Sequence, residues 1–297
     1  MIRCLKYDEI DFEKYNDCIT HSAQYHFSAT QACLEVYGAS HWEFLVLEDY
    51  LAVMPIYITR KLGVKFATIP LGIQQLGIFS KEDLPQLNEA FLAELKQRYR
   101  IHYYAFNEKN QFLKSQLLQR KNYIISKNAY EAIRQNYTSD RRRNVRILPK
   151  NQGKIRLESS IDLEELKSFF CQYSKGLDDK AKAILLGFYQ KYYDSNLLKI
   201  RTLYYDGEVA SIAFLYDDGH TVYSTSLINH PGYLKENCPS ILIDLLLQEF
   251  SECRNFSFMG SNQPQIETFF QRFGARQYTY SVMSQSKREL IKTLLKL

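Results

Sequence analysis

No Cys-x-x-Cys pair occurs in this 297-residue chain, and its six cysteines (Cys4, Cys18, Cys33, Cys171, Cys238 and Cys253) lie far apart, with no histidine at zinc-ligand spacing. That spacing argues against a disulfide framework and against a structural metal, so the thiols are expected to be buried in a reducing compartment. A continuous apolar opening run is also missing. Met1-Ile-Arg-Cys-Leu-Lys mixes charge with apolar residues, which excludes a signal peptide, and no later run is long enough to span a bilayer. Cytoplasmic localisation without stable membrane insertion is the expectation. Charge of one sign is the third thing lacking: 38 basic against 33 acidic residues leave a net charge of +5, so any basic function must be local. What the chain does have is apolar mass, 45% hydrophobic and 14% aromatic, enough for one large core or two modest ones. Its length favours two domains.

The clearest hairpins lie in the second half. In "LKIRTLYYDGEVASIAFLYDDGHTVYSTSLI" turn signals at Asp206-Gly207 and Asp218-Gly219 separate three strands of an antiparallel meander. A helix "CPSILIDLLLQEFSE" follows, then a strand "NFSFM", a turn at Gly260-Ser261-Asn262, a helix "QPQIETFFQRF" and a last strand "ARQYTYSVM". The first half repeats this order in worn form. There "EFLVLEDYLAVMPIYI" is a hairpin, "KFATIPLGIQQLGIF" continues the sheet, "LPQLNEAFLAELKQRY" is a helix, "IHYYAF" a strand, "NQFLKSQLLQR" a helix and "NYIIS" a strand. "KEDLP" at Lys81 to Pro85 faces "KENCP" at Lys235 to Pro239, and at that offset the Tyr103-Tyr104 strand falls on the strand holding Phe256 and Phe258. One order at a nearly constant offset indicates two copies of one supersecondary unit.

Each copy also opens with a strand and a helical stretch: "MIRCLKY" before residues 11 to 38, and "KIRLESS" before "LEELKSFFCQYSKG" and "AILLGFYQKYY". The boundary falls near Ser126, giving domains 1–126 and 127–297. Asn128 and Glu131 form an N-x-x-E helix start just beyond it.

This β-α-α-β-β-β-α-β-α-β order resembles the GNAT N-acyltransferase fold, and two copies in tandem resemble the FemAB-type branch, including the BioF2-like acetyltransferase families. The likeness rests on "DGEVASIAFLYDDGHTVYSTS", the helix entry "KENCPSILI", "FSFMGSNQPQIETFFQRFGA", "LAVMPIYITRKLG", "QQLGIF" and "SDRRRNVR". It implies an α+β chain of two tandem GNAT-like domains, the first degenerate, each a mixed, mainly antiparallel sheet flanked by helices. It further implies an enzyme moving an acyl or aminoacyl group onto an amine of a polar substrate such as a cell-envelope precursor. The donor would be acyl-CoA or aminoacyl-tRNA, the acceptor a small-molecule or peptide-like amine, and no metal would be needed. The reacting groups would be held in a cleft between splayed strands, where orientation and carbonyl polarisation carry the catalysis. One departure stands out: where acetyl-CoA enzymes carry a Gly-rich pyrophosphate loop, this chain reads "NHPGYLKENCPS", with one glycine.

On a helix from Asn128 to Leu148, steps of 100° align Tyr130, Ile133, Tyr137, Arg141, Asn144 and Leu148, while Arg142, Arg143 and Arg146 point elsewhere. Arg141 and Asn144, beside Tyr137, would then share a packing face where a charge needs an anion, either an internal carboxylate or a ligand phosphate. Thr138-Ser139-Asp140 offers the alternative of a fresh N-cap that breaks the helix. Tyr223 and Ser224, on the strand expected to line the cleft, are the candidate catalytic pair, though most strand tyrosines only pack. His230 precedes Pro231 in the following loop. Lys235, Asn237 and Ser240 mark a helix start that could hold an anion or simply be capped. Gly260, Ser261 and Asn262 occupy the place of a ligand loop or an ordinary turn, and Gln74 and Gln75 could bind a peptide or sugar substrate or satisfy a strand edge. The basic "SKRELIKTLLKL" end reads as a docking helix rather than a membrane-surface one. Two non-enzymatic readings stand beside the transferase: RNA contact through the Arg141–Arg146 cluster, and a non-catalytic tandem that binds a ligand.

Overall fold

The computed structural model describes residues 1–61, 63–146 and 153–285, so Leu148 and the basic end beginning at Ser286 lie outside the described residues. The chain divides into two compact units, Met1–Arg120 with the segment from Thr279, and Lys121–Tyr278.

The first unit contains β1 (Ile2–Lys6), α1 (Phe12–Thr20), α2 (Gln31–Val36), β2 (Trp42–Leu47), β3 (Ala52–Lys61), β4 (Val64–Thr68), β5 (Phe79–Ser80), α3 (Pro85–Arg98), β6 (Arg100–Ile101) and β7 (Tyr103–Ala105). Its sheet runs β1-β2-β3-β4-β6, antiparallel except for β6 beside β4, with β5 paired to the start of β3. The second hairpin strand is apolar on both faces through Ile58 because α1 covers one side of it.

Then come β8 (Leu118–Ile125), α4 (Tyr130–Gln135), α5 (Ser139–Val145), β9 (Ile155–Glu158), α6 (Leu163–Tyr173), α7 (Asp179–Asp194), β10 (Leu198–Tyr205), β11 (Glu208–Asp217), β12 (Thr221–Asn229), α8 (Cys238–Phe250), β13 (Asn255–Ser257), α9 (Pro264–Gln271) and β14 (Arg276–Ser284). The second unit's sheet runs β8-β13-β12-β11-β10-β9, with β12 and β13 parallel and the other pairs antiparallel. The continuous apolar run of α8 is explained by burial: Ile241, Leu242, Leu246 and Leu247 pack on Leu203, Ala213, Leu215 and Val222 of the sheet and on Phe256, Phe258, Phe270 and Phe273. On the opposite face Phe170 and Tyr189 cover Phe214, the tyrosine stacked on it at 4.5 Å and 22°.

The two copies exchange their last strands. By sequence β8 ends the first copy and β14 the second, yet β8 pairs with β13 (Phe256 opposite Ile125) and β14 with β7 (Val282 opposite Ala105). Both strands therefore cross the unit boundary, and Ser126 lies just past the end of the first of them.

Two helices read from sequence are absent as read. The helix from Asn128 to Leu148 is replaced by α4 and α5, because Thr138 caps afresh and its Oγ1 accepts from Arg141 N at 3.3 Å. The N-x-x-E start is displaced too: Ala129 is the N-cap, and Asn128 Oδ1 accepts from its N–H. "NQFLKSQLLQR" is loop up to Leu117, since side chains capture its backbone. Asp83 accepts from Gln111 N at 3.1 Å and Glu89 from the N–H groups of Lys114 and Ser115, while the Asn110 side chain pins the segment to Ile78 N (3.0 Å) and Ile78 O (2.8 Å). Gly77, at φ +136, permits that approach; a Cβ there would collide with Asn107 and Asn110.

Candidate functional site

The parallel pairing of β12 with β13 stops at Tyr223 and Ser257. Beyond it Phe258 N donates to Tyr123 O at 2.9 Å, so this chain follows β8, while β12 stays with β11 through a register shift opposite Phe214 and Leu215. At the shift Thr225 Oγ1 donates to Phe214 O at 3.0 Å. The strands part, and Met259 and Gly260 at φ 53 and 68 turn the chain away toward α9. Met259 is an uncommon left-handed non-glycine, held by donation of its N–H to Ser257 Oγ at 3.2 Å.

The gap is a cavity of about 440 Å³. Ser224 to Leu227 and Asn229 form its β12 wall, Phe258, Gly260 and Ser261 the opposite wall, and Leu234, Pro239, Gln265, Ile266, Phe269 and Phe270 enclose it. Among the described residues lining it there is no Asp, Glu, Lys, Arg, His, Cys or Tyr. Asn229 Oδ1 is buried without a hydrogen-bond partner, and so is Ser211 Oγ directly across the strand pair.

Of the sequence candidates, Ser224, Gly260 and Ser261 line this cavity; Tyr223 and Asn262 do not. Tyr223 is buried opposite Tyr216 of β11, and Asn262 is exposed in the loop before α9. His230 Nδ1 accepts from Gly232 N at 3.0 Å, and the ring packs between Tyr173 and Tyr233. The start of α8 is closed to phosphate by its own sequence: Pro239 has no N–H, and the N–H groups of Ser240 and Ile241 donate to Asn237 O at 2.8 and 3.0 Å. Asn237 adopts the left-handed conformation, φ 60, and Lys235 is exposed. Gln74 and Gln75 belong to the first unit. Buried Gln75 accepts from Glu108 N (2.8 Å), and its Nε2 donates to Gln74 Oε1 (3.1 Å).

Arg141 is 1% exposed, and among the described residues no carboxylate lies within ion-pair distance of it. Its Nη1 donates to Ser240 Oγ, its Nη2 to Phe269 O at 3.4 Å, and its guanidinium lies 4.1 Å from the Phe273 ring centre and 4.5 Å from that of Phe269. Nε is buried without a partner. Burial, with Arg272 adding like charge, lowers its pKa to about 10. Asp244 gives it only longer-range support, for that carboxylate, pushed up by burial, accepts from Tyr130 OH at 2.8 Å and Tyr137 OH at 2.9 Å. Arg141 thus braces the cavity wall from behind, through Phe269 and the first turn of α8. The rest of the cluster disperses: Arg142 donates to the carbonyls of Gln135 and Tyr137, Arg143 pairs with Asp140 at 2.7 Å, Asn144 is half-buried and Arg146 is exposed.

Sequence reasoning missed Asn229, Phe269 and Tyr189. The Tyr189 hydroxyl meets Ser226 Oγ at 2.6 Å behind the cavity wall, while its ring lines a second cavity of about 460 Å³ between α6, α7 and the sheet. Asn229 sits where the strand ends before His230-Pro231, the one local cue available. Among the described residues, no cluster of three or more His, Cys, Asp or Glu is arranged to hold a metal, and no helix is long and apolar enough to cross a membrane.

No protein-family model matches the sequence, and no curated protein matches it either. Solved structures do match. FemX superposes with a TM-score of 0.64 at 9% identity, covering 98% of this chain and 99% of that one. The C-terminal domain of a putative lysylphosphatidylglycerol synthetase from Agrobacterium fabrum gives 0.52 at 11% (96% and 95%), and a tandem GNAT protein from the clavulanic acid biosynthesis pathway gives 0.51 at 8% (95% and 98%). With two sheets flanked by helices, a repeated strand and helix order and these likenesses over its whole length, the chain has the FemAB-like tandem GNAT fold.

Proposed function

We propose that the second unit binds the acyl end of an activated acyl or aminoacyl donor where β12 and β13 part, and passes it to an amine of a polar acceptor such as a cell-envelope precursor. The parting of the two strands carries this reading, because it leaves unpaired strand edge and a small-ligand-sized cavity at one place. The likeness to FemX and to a tandem GNAT protein supports the class of reaction. Ser224 on the cavity wall and Ser226, backed by Tyr189, are the groups we assign to the donor carbonyl. Burial raises the Tyr189 phenol, so it stays protonated and can donate through Ser226. The closed start of α8 favours a donor held by its acyl end over one held by a pyrophosphate.

Thermal-shift titration with acetyl-CoA, longer acyl-CoAs and aminoacyl-tRNA tests the site. At least one donor is expected to raise the melting temperature of the wild type and to lose that effect in Ser224→Trp, which fills the cleft; no shift with any donor refutes the reading. A cavity without titratable side chains also favours a second reading, a tandem that binds its ligand without turnover. Donor binding with no acylated amine formed in a single-turnover assay would select it.

A further inference from the structure

The second cavity, about 460 Å³ between α6, α7 and the strands β10 and β11, has the volume of a small-ligand site. Leu166, Leu186, Leu198, Ile200, Phe214 and the Tyr189 ring supply its walls, and the hydroxyl of that tyrosine is turned to Ser226. Leu163 and Tyr193 also line it and are exposed, so it opens to solvent. Apolar walls around an unfilled space forgo both burial and dispersion contacts, which an alkyl chain entering there would restore carbon by carbon. Gly187, in the interior of α7, lines the same cavity. Glycine is among the poorest residues for a helix interior, and close packing does not call for it, since a Cβ there would meet no atom within 4 Å. What this glycine preserves is open space at the cavity.

Charge at the cavity has one sign. Among the described residues lining it, Lys167 alone is charged at neutral pH; Ser160, Gln190 and two tyrosine hydroxyls are the uncharged polar groups. Two carboxylates stand just outside the lining, each already engaged: Glu164 pairs with Lys167 at 2.9 Å, and Asp194 accepts from Gln190 at 2.7 Å. The first pair is exposed on both sides and therefore weak, so Lys167 can exchange Glu164 for a ligand carboxylate. We propose that this cavity binds a free medium-chain fatty acid, its alkyl chain between α7 and the sheet and its carboxylate at Lys167. This site is separate from the donor cleft and stands or falls without it.

Octanoate, decanoate and decylamine, each kept below its aggregation limit, serve as calorimetric probes. Wild type is expected to bind decanoate about 10-fold more tightly than octanoate, the gain for two more buried methylenes, and at least ~10-fold more tightly than decylamine. Lys167→Glu is expected to reverse the preference between decanoate and decylamine. Gly187→Phe and Ala183→Phe, two independent ways of filling the space, should each abolish decanoate binding while the protein still melts cooperatively. Ser224→Trp, which fills the donor cleft, should leave decanoate binding unchanged. No decanoate binding by wild type, equal affinity for decylamine, or binding that survives both phenylalanine variants overturns the proposal. Loss of binding in Ser224→Trp overturns it too, by placing the chain in the donor cleft. So does a concentration-dependent dimer in sedimentation that Gly187→Phe dissociates, which would make this apolar surface a contact between two copies of the chain.

Discussion

A single buried arginine shows how this protein handles charge. Among the described residues, Arg141 is stabilised by a hydroxyl, a carbonyl and two aromatic faces rather than by an anion, an arrangement that suits the weakly hydrated, planar guanidinium. Arg141→Ala should cost about 2–4 kcal/mol in urea unfolding, because it opens a cavity between Phe269 and Phe273 and removes the donor to Ser240. Arg141→Met, which keeps the volume and buries no charge, should cost about 1 kcal/mol or less. Sequence phase placed Arg141 on a buried face, and it is buried; what neutralises it was not legible, because Ser240 and Phe269 come from elements about a hundred residues away. His26 is a second ionisable side chain held inside the protein. Burial, helped by Lys109, lowers its pKa to about 3 from an ordinary 6.5, so the unfolded chain takes up the proton first. Its contribution to stability is complete above pH 6.5 and falls by up to about 1.4 kcal/mol per pH unit as the pH drops from there toward 3. Unfolding titrations of His26→Asn should lack that slope.

Among the elements, local signals were read well where they act locally. The Asp206-Gly207 and Asp218-Gly219 turns, and the Pro-led starts of α3 and α9, stand where the sequence puts them. Misreadings came where a side chain took over a backbone group. Thr138 divides one long amphipathic stripe into α4 and α5, and Thr138→Ala should cost about 1 kcal/mol, read from the urea midpoint. In the loop before β8, Asp83 and Glu89 occupy the N–H groups of Gln111, Lys114 and Ser115 that a helix would have used. Gly77→Ala, forced against Asn107 and Asn110 at a positive φ, should lower stability by about 2–4 kcal/mol in the same assay. The candidate cleft was legible as a strand and not as a face. Ser224 lines it and its neighbour Tyr223 does not, since β12 is still paired with β13 at Tyr223 opposite Ser257 and the strands part only beyond it.

Across the whole molecule the repeat has one consequence for folding. Because β8 completes the sheet of the second unit and β14 pairs with β7 in the first, neither sequence half contains all the strands of its own unit. Fragments 1–126 and 127–297 expressed alone should show no cooperative unfolding transition by circular dichroism, whereas co-expression should restore one. A cooperative transition in either isolated fragment would show that the exchanged strand is dispensable.

Hydrophobic period, turn residues and the repeated order are written in the chain itself, and by themselves they determined two α+β copies with a meander, a buried helix and a short strand in each. Those features depend on neighbours within a few residues, where backbone geometry and side-chain phase leave little choice. Strand exchange, the parting of β12 from β13, the neutral lining of the cleft and the partners of Arg141 were decided only in the tertiary structure. Each depends on which distant strand or helix supplies the opposite hydrogen-bonding or packing partner, and no local period carries that information.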